Sequence, residues 1–532
     1  YDPQSSYVEV REVNVVRGGK RIAVDVASVR DLPAPQRAIY WKDRIKTLQL
    51  PRLRPGDGIE VRLFRKGFTY ALLGGAAAGA AQADTAAADT AAAPGDDRYI
   101  PPMPGEYFDI VLFAGEAPIL EKRYVLNLPG DKRLHAEVYN GPLYSSATYD
   151  EERTQYAWWG FDLAPAAHGP AQPAASDFAT KVVMATAESW EAKSRWFFDV
   201  NLNQFEPNEA IREKVREILA EAGLEKASEE ARAKALLHWV AQNIRYSGQT
   251  MGEGEGFTLH PGSMIFEQRS GVCKDIAGML ITMMRAAGMD SYAAMTMAGS
   301  RIEEVPADQF NHCVCALRKK DGSFVMYDPT WVPYNNEIWS LLEAEQHYLV
   351  GTPEGETLSR IRYSPPEDSP LRVVHLATLE RDGTLEGSFR LDGSGALDGR
   401  LRRMVTGSER ANIEGAAAAL LASIGNRVEA VRVRHREADD FSGDMWVEID
   451  YRIPGFALPV EGGLEFESPL MSLVTGNPNL FRASAVRWPE ERGTDVFLYY
   501  TQLLDGSERI RLPRGWKAVS YTHLRAHETK AN

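Results

Sequence analysis

The sequence predicts an α+β protein in which a mixed core lies between two β-rich regions. Three observations carry this reading. Strand-like segments dominate from residue 8 to about 160, helical periodicity takes over from about 177, and strand-like segments return from about 371. A chain of 532 residues is also too long for one ordinary hydrophobic core. The expected domains are 1–163, 177–350 and 371–518.

In the first region Ile59-Glu-Val-Arg-Leu-Phe64, Tyr107-Phe-Asp-Ile-Val-Leu-Phe113 and Arg123-Tyr-Val-Leu-Asn-Leu128 have the β-branched and aromatic enrichment of sheet segments. They predict a β-sandwich. Residues 74–97 form an Ala/Gly/Thr/Asp tract with almost nothing to bury, so a disordered insertion is expected there. The Pro/Ala-rich stretch 164–176 marks the exit toward the core.

In the core, 209–222 and 229–243 have helical spacing, with Gly223 as a C-terminal stop and Ser228 as an N-cap. A third helix is expected over 274–287. Its apolar residues Ile276, Met279, Leu280, Met283 and Met284 recur at three and four, Gly288 ends it, and Cys273 lies at its start. Residues 291–297, 310–317 and 323–327 read as strands, the last two joined by the hairpin signal Lys320-Asp-Gly322. In the third region 373–379, 384–391 and 445–453 are expected strands, and the Ala-rich 409–424 is expected as one helix on their sheet.

Both ends carry expectations of their own. Residue 1 is Tyr and the opening reads as interior strand, so the compartment stays open, with periplasmic or exported placement among the choices. Residues 519–532 resemble a translated sequencing-library adaptor. On that expectation His523 and His527 are not functional residues, and the natural protein continues differently.

Composition narrows the function classes. Apolar residues make up 44% and charged residues 25%, and no apolar run approaches the roughly 18–20 residues that a membrane span needs, so no integral membrane segment is expected. The net charge of −14 lacks the basic stripe that nucleic acid requires, and no nucleic-acid partner is expected. There is no Walker lysine, His-Glu-x-x-His or Gly-x-Ser-x-Gly motif, and Gly252-Glu-Gly-Glu-Gly256 is too acidic to cradle phosphate. No cofactor is expected. The three cysteines, 273, 313 and 315, are too few for a disulfide framework. Cys313 and Cys315 alternate along one strand and read as buried core thiols rather than metal ligands, and no metal site is expected.

What remains is a constellation. Cys273 stands in Ser270-Gly-Val-Cys-Lys-Asp275, His312 follows 39 residues later in Phe310-Asn-His-Cys, and Asp328 follows 16 after that in Met326-Tyr-Asp-Pro-Thr-Trp331. A thiol at a helix N-terminus, an imidazole on one strand and a carboxylate ending the next are the parts of a thiol acyl-transfer triad. The helix N-terminus favours the thiolate, and its free N–H groups can hold an oxyanion. Tyr246 and Gln268 are candidates for a second oxyanion donor, and Trp331 for a cleft wall. Asp275, in the first helical turn, reads as a structural cap. Each residue also has a plain reading: a packed thiol, a satisfied core histidine and an Asp-Pro turn.

Trp239-Val-Ala-Gln-Asn-Ile-Arg-Tyr246, Gly271-Val-Cys-Lys-Asp275, Phe310-Asn-His312 and Tyr327-Asp-Pro-Thr330 fall in one order and spacing. In them the chain resembles the transglutaminase-like superfamily, in the bacterial architecture where a DUF3857 β-domain precedes the core. Trp41, Pro55-Gly56-Asp57, Trp158 and Ala187-Glu-Ser-Trp190 resemble the DUF3857 segment. The resemblance implies a papain-like α+β fold and a Cys-His-Asp triad at Cys273, His312 and Asp328. One residue departs from it: the position before the cysteine is often Asp in such proteins and is Val272 here.

The expected activity is cofactor-free acyl transfer on the amide of a peptide or protein substrate. Water as acceptor gives a peptidase or amidase, and a lysine amine gives crosslinking. The alternative is an inactive scaffold whose β-domains bind a protein or glycan.

Overall fold

A computed structural model describes residues 1, 3, 6–34, 44–67, 103–166, 169, 171–247, 257–330, 345–406, 412–425, 427–477, 493–498 and 501–518. The insertion expected at 74–97, the tail 519–532, Trp41 and Trp331 lie outside the described residues. The chain divides into two compact units, the first built mainly from residues 1–333 and 338–363 and the second mainly from 364–492 and 500–532.

The first unit opens with antiparallel sheets. Ser6–Arg17 pairs with Lys20–Ala23 and Gly58–Gly67, and Arg153–Leu163 lies between Ile119–Pro129 and Tyr144–Tyr149. The Pro55-Gly56-Asp57 turn needs its glycine, at φ +88°, and is held by Asp57, which accepts the Arg54 N–H and two hydrogen bonds from Arg17. Trp158 is buried among Val111, Phe113, Leu126, Leu128, Val182 and Met184.

The strand Lys181–Ala185 differs from expectation. It falls beyond residue 177, yet it pairs with Phe108–Leu112 and His135–Tyr139. All five of its residues are buried, because Val182 and Met184 face the N-terminal core while Val183 and Ala185 meet Val305 and Ala307. A strand covered on both faces shows no alternation to mark which domain it serves.

In the core the helices Glu209–Glu221 and Glu229–Asn243 are capped by Asn208 and Ser228. With the short helix Gly262–Gln268 they surround the helix Cys273–Ala286. Lys274 through Met284 are all buried. The sequence showed an amphipathic stripe, whereas this helix is enclosed by helices on one side and by a sheet on the other.

That sheet runs in the order Phe324–Tyr327, His312–Arg318, Ser291–Thr296, His347–Val350 and Ser359–Arg360, all antiparallel. One face sends Met295, Cys313, Cys315 and Leu317 into the helical core, and the other buries Tyr292, Ala294, Val314 and Ala316. Cys313 and Cys315 are unoxidised and buried, and the Cys315 sulfur rests 3.4 Å from that of Met284.

The second unit is a five-stranded sheet in the order Glu429–His435, Met445–Ile453, Leu385–Gly393, Pro370–Leu379 and Leu503–Arg511, the last pair parallel. Among the described residues three helices pack on it where one was expected, one of them Pro469–Gly476. The Ala-rich segment yields only Ile413–Leu420 and a 3-10 turn, while Ala396–Thr406 forms another helix. The helix Ala396–Thr406 escaped notice because Asp398 and Arg402 look like surface residues.

Both are buried. Arg402 donates to both oxygens of Asp398 and to the carbonyls of Ala438, Asp440 and Gly443, and Asp398 accepts the Met445 N–H. Arg402→Leu leaves a buried carboxylate without its counter-charge, a loss of about 3–5 kcal/mol. Amide exchange in Leu385–Gly393 and Met445–Ile453 reads this unit directly. The expected outcome is protection lowered by at least a hundredfold.

Candidate active site

The site is assembled from the start of the enclosed helix and the neighbouring ends of two strands. Arg269 closes the helix Gly262–Gln268 in the left-handed conformation, φ +56°, with its guanidinium over Phe266 and Trp239. The chain then reverses, and Ser270–Gly271 pairs in parallel with Arg245–Tyr246. Cys273 follows as the first helical residue. It is part-exposed, unlike the other two cysteines.

Val272 holds the cap position and has no side-chain acceptor, so the capping box survives only in reverse. The carboxylate of Asp275 accepts the Val272 N–H at 3.0 Å. An aspartate at 272 could cap the amides of the first turn, whereas valine leaves them without a side-chain partner from that position.

His312 begins its strand. Phe310, fully buried with its ring edge-on to Trp190, anchors the approach, and Asn311 exchanges two hydrogen bonds with the backbone of Ala298. The pairing of Cys315 with Tyr327 places the next residue, Asp328, opposite Val314 and so diagonal to His312. His312 Nε2 meets Asp328 Oδ2 at 2.9 Å, and Asp328 Oδ1 accepts the Thr330 N–H. Cys273 stands close enough to His312 for its side chain to help raise the pKa of the ring. The structure thus brings Cys273 and Asp328 to the neighbourhood of one imidazole.

Burial of His312 disfavours its charged form, but the charge and hydrogen bond of Asp328, together with the Cys273 sulfur, outweigh that penalty. Its pKa is held well above the ordinary histidine value. Burial, followed by the charge on Cys273, pushes the neighbouring Cys313 thiol up as well, far above its ordinary range. Cys313 is thereby kept an inert thiol.

The other sequence candidates separate. Tyr246 lies near the site: its hydroxyl is close enough to Cys273 and Asp275 for both to act on its pKa. Burial of that hydroxyl raises its pKa, with the charges of Cys273 and Asp275 adding to the effect, although the residue as a whole is 48% exposed. Gln268 does not join it. It is the exposed last residue of its helix, and among the described residues no hydrogen bond links its amide to Cys273. Because Arg269 ends that helix, closeness in sequence to Cys273 does not become contact.

One residue was missed altogether. His260 is buried, and its Nδ1 lies 2.9 Å from Asp275 Oδ1. No spacing signal marks it, because it reaches Asp275 only through the reversal at Arg269. Lys274 donates to the Thr258 carbonyl at 3.0 Å. Among the described residues no three His, Cys, Asp or Glu side chains converge as metal ligands.

Among solved structures the chain is similar to a candidate protease from Parabacteroides distasonis, at 12% identity over 91% of this chain and 88% of that one, with a TM-score of 0.52. This likeness shows the α+β fold. It is also similar to the periplasmic domain of TgpA from Pseudomonas aeruginosa, at 16% identity over 40% of this chain and 93% of that one, with a TM-score of 0.19. A candidate cysteine protease from Cytophaga hutchinsonii matches at 14% identity over 42% and 75% of the two chains, also with a TM-score of 0.19. These two scores are too low to bear on the fold. No curated protein matches the chain. The family comparison matches residues 1–167 to the domain of unknown function DUF3857 and residues 216–329 to the transglutaminase-like superfamily, so the chain joins a DUF3857 domain to a transglutaminase-like core.

Proposed function

We propose that the protein cleaves amide bonds of peptides or proteins through a thioester on Cys273. The observation that carries this reading is the buried 2.9 Å hydrogen bond between His312 and Asp328 with Cys273 close by, an arrangement that favours the charged imidazole. An imidazolium beside a thiol favours the thiolate, and the helix N-terminus favours it further.

The reaction begins with the thiol proton on His312. The thiolate attacks the amide carbonyl, the C=O electron pair moves to oxygen, and the Cys273 N–H donates to the oxyanion. The Tyr246 hydroxyl, close to Cys273, donates as the second partner. Collapse breaks the C–N bond, and His312 Nδ1–H gives its proton to the leaving amine. His312 then takes a proton from water, hydroxide adds to the thioester, and the C–S bond breaks to release acid. Asp328 holds the ring throughout and stabilises its charge.

Water is favoured as the acceptor because the site is open. Cys273 is part-exposed, so solvent can reach the sulfur, whereas transfer to an amine requires water to be kept out.

A labelled protein substrate such as casein, with products read by mass spectrometry, tests the series. Cys273→Ala removes turnover, His312→Ala lowers it by about a thousandfold or more, and Asp328→Asn by about ten-thousandfold, where the wrong tautomer is favoured. Tyr246→Phe removes one oxyanion donor and is expected to lower kcat about 100-fold with little change in KM. A Tyr246→Phe enzyme with unchanged kcat contradicts that role.

A further inference from the structure

A second buried imidazole–carboxylate pair stands beside the first. His260 and Asp275 are 5% and 2% exposed. Asp275 Oδ1 meets both the ring Nδ1 and the backbone N–H of His260, at 2.9 and 3.3 Å, while Oδ2 accepts the Val272 N–H. Burial works against the Asp275 anion, but the His260 hydrogen bond, the charge of Lys274 and the Val272 N–H hold its pKa below the usual carboxylate range. A carboxylate only accepts, so Nδ1 carries the proton.

Nε2 of His260 is buried and has no hydrogen-bond partner among the described residues. A buried ring nitrogen left unpaired costs free energy, so filling space does not account for a histidine here. The Nδ1–H donor does.

Asp275 is where three segments cross. The stretch after residue 256 is tied down by Asn201, which bonds the Phe257 carbonyl and the Leu259 N–H, by Lys274 at Thr258 and by Asp275 at His260. Gly271 passes so close that a Cβ there would lie 2.5 Å from the Asp275 Cβ. Cys273 sits between the two ends of the Val272–Asp275 clamp, so the clamp fixes the direction of its N–H and of its Cα–Cβ bond.

We infer that Asp275, oriented by the Nδ1–H of His260, is a positioning residue that holds the 271–273 turn and thereby aims Cys273 at its substrate and at His312. This rests on the acyl-transfer reading above. The charged and titratable groups around Asp275 are His260, Lys274, Cys273, Tyr246 and Cys313. Lys274 offsets the negative charge that Asp275 brings close to the sulfur, so the clamp can act without opposing a thiolate.

Three variants of the full chain test it: Asp275→Asn, His260→Gln and His260→Asn. Asparagine at 260 places an amide N–H near the position of Nδ1, and glutamine does not. The readouts are the rate of iodoacetamide labelling at Cys273, mapped by peptide at pH 6 and pH 8, and amide exchange over 257–262 and 271–276. Melting curves establish that each variant is folded.

Asp275→Asn and His260→Gln should slow labelling at pH 6 at least tenfold and speed exchange in both segments at least tenfold, while His260→Asn stays within threefold of the parent. Parent-like labelling and exchange in Asp275→Asn and His260→Gln overturn the inference, as does a His260→Asn variant no better than His260→Gln. If Asp275→Asn does not fold, the two His260 variants decide. If parental Cys273 labels no faster than a cysteine in the unfolded chain, the acyl-transfer reading fails, and exchange alone then decides positioning: faster exchange supports it and unchanged exchange overturns it.

Discussion

A carboxylate with no exposed surface and an imidazole that is 3% exposed stand 2.9 Å apart in the first of the two units. Neither charge is tolerable there alone, and each is tolerable beside the other. Asp328 favours the protonated form of His312 despite its burial, and in the proposed reaction a protonated His312 makes the nearby Cys273 a nucleophile. The rest of the core serves to bring three chain segments to that pair.

Each segment is fixed by residues that do no chemistry. Phe310 and Asn311 set where the His312 strand begins, and the hairpin register places Asp328 on the diagonal. Cys273 comes from the opposite side on the enclosed helix. Its first turn is shaped by the left-handed Arg269, the close approach of Gly271 and the carboxylate of Asp275. Val272 fits the same logic: without an oxygen at the cap position, no side chain there competes with a developing oxyanion for the first-turn amides.

Much of this could be read from the sequence because its signals are local or ordered. Helical periodicity and caps marked the helices around Cys273, and the order of Cys273, His312 and Asp328 with their neighbours pointed to a transglutaminase-like core. The parts that were not legible depend on tertiary context. His260 is an isolated histidine until the chain reverses at Arg269, and Gln268 looks like a neighbour of Cys273 until that reversal leaves it exposed. Lys181–Ala185 has no polar face to show which sheet it completes. Arg402 and Asp398 read as solvent-facing charges because nothing local announces that a buried guanidinium will hold three carbonyls of a distant loop.

In the proposed reaction His312 is an imidazolium at neutral pH because Asp328 and Cys273 hold its proton. Nitrogen-15 NMR of the histidine rings across pH tests this directly, with His312→Gln identifying the signal. The sign follows from the linkage. The folded pKa is raised above 6.5, so the pair's stabilisation is complete below that value and is lost only as pH rises through the raised one. Both ring nitrogens of His312 are expected to remain protonated well past pH 6.5, with Cys273→Ala and Asp328→Asn each moving the transition toward ordinary histidine. A His312 ring that titrates at or below 6.5 in the parent protein, unmoved by either substitution, contradicts this.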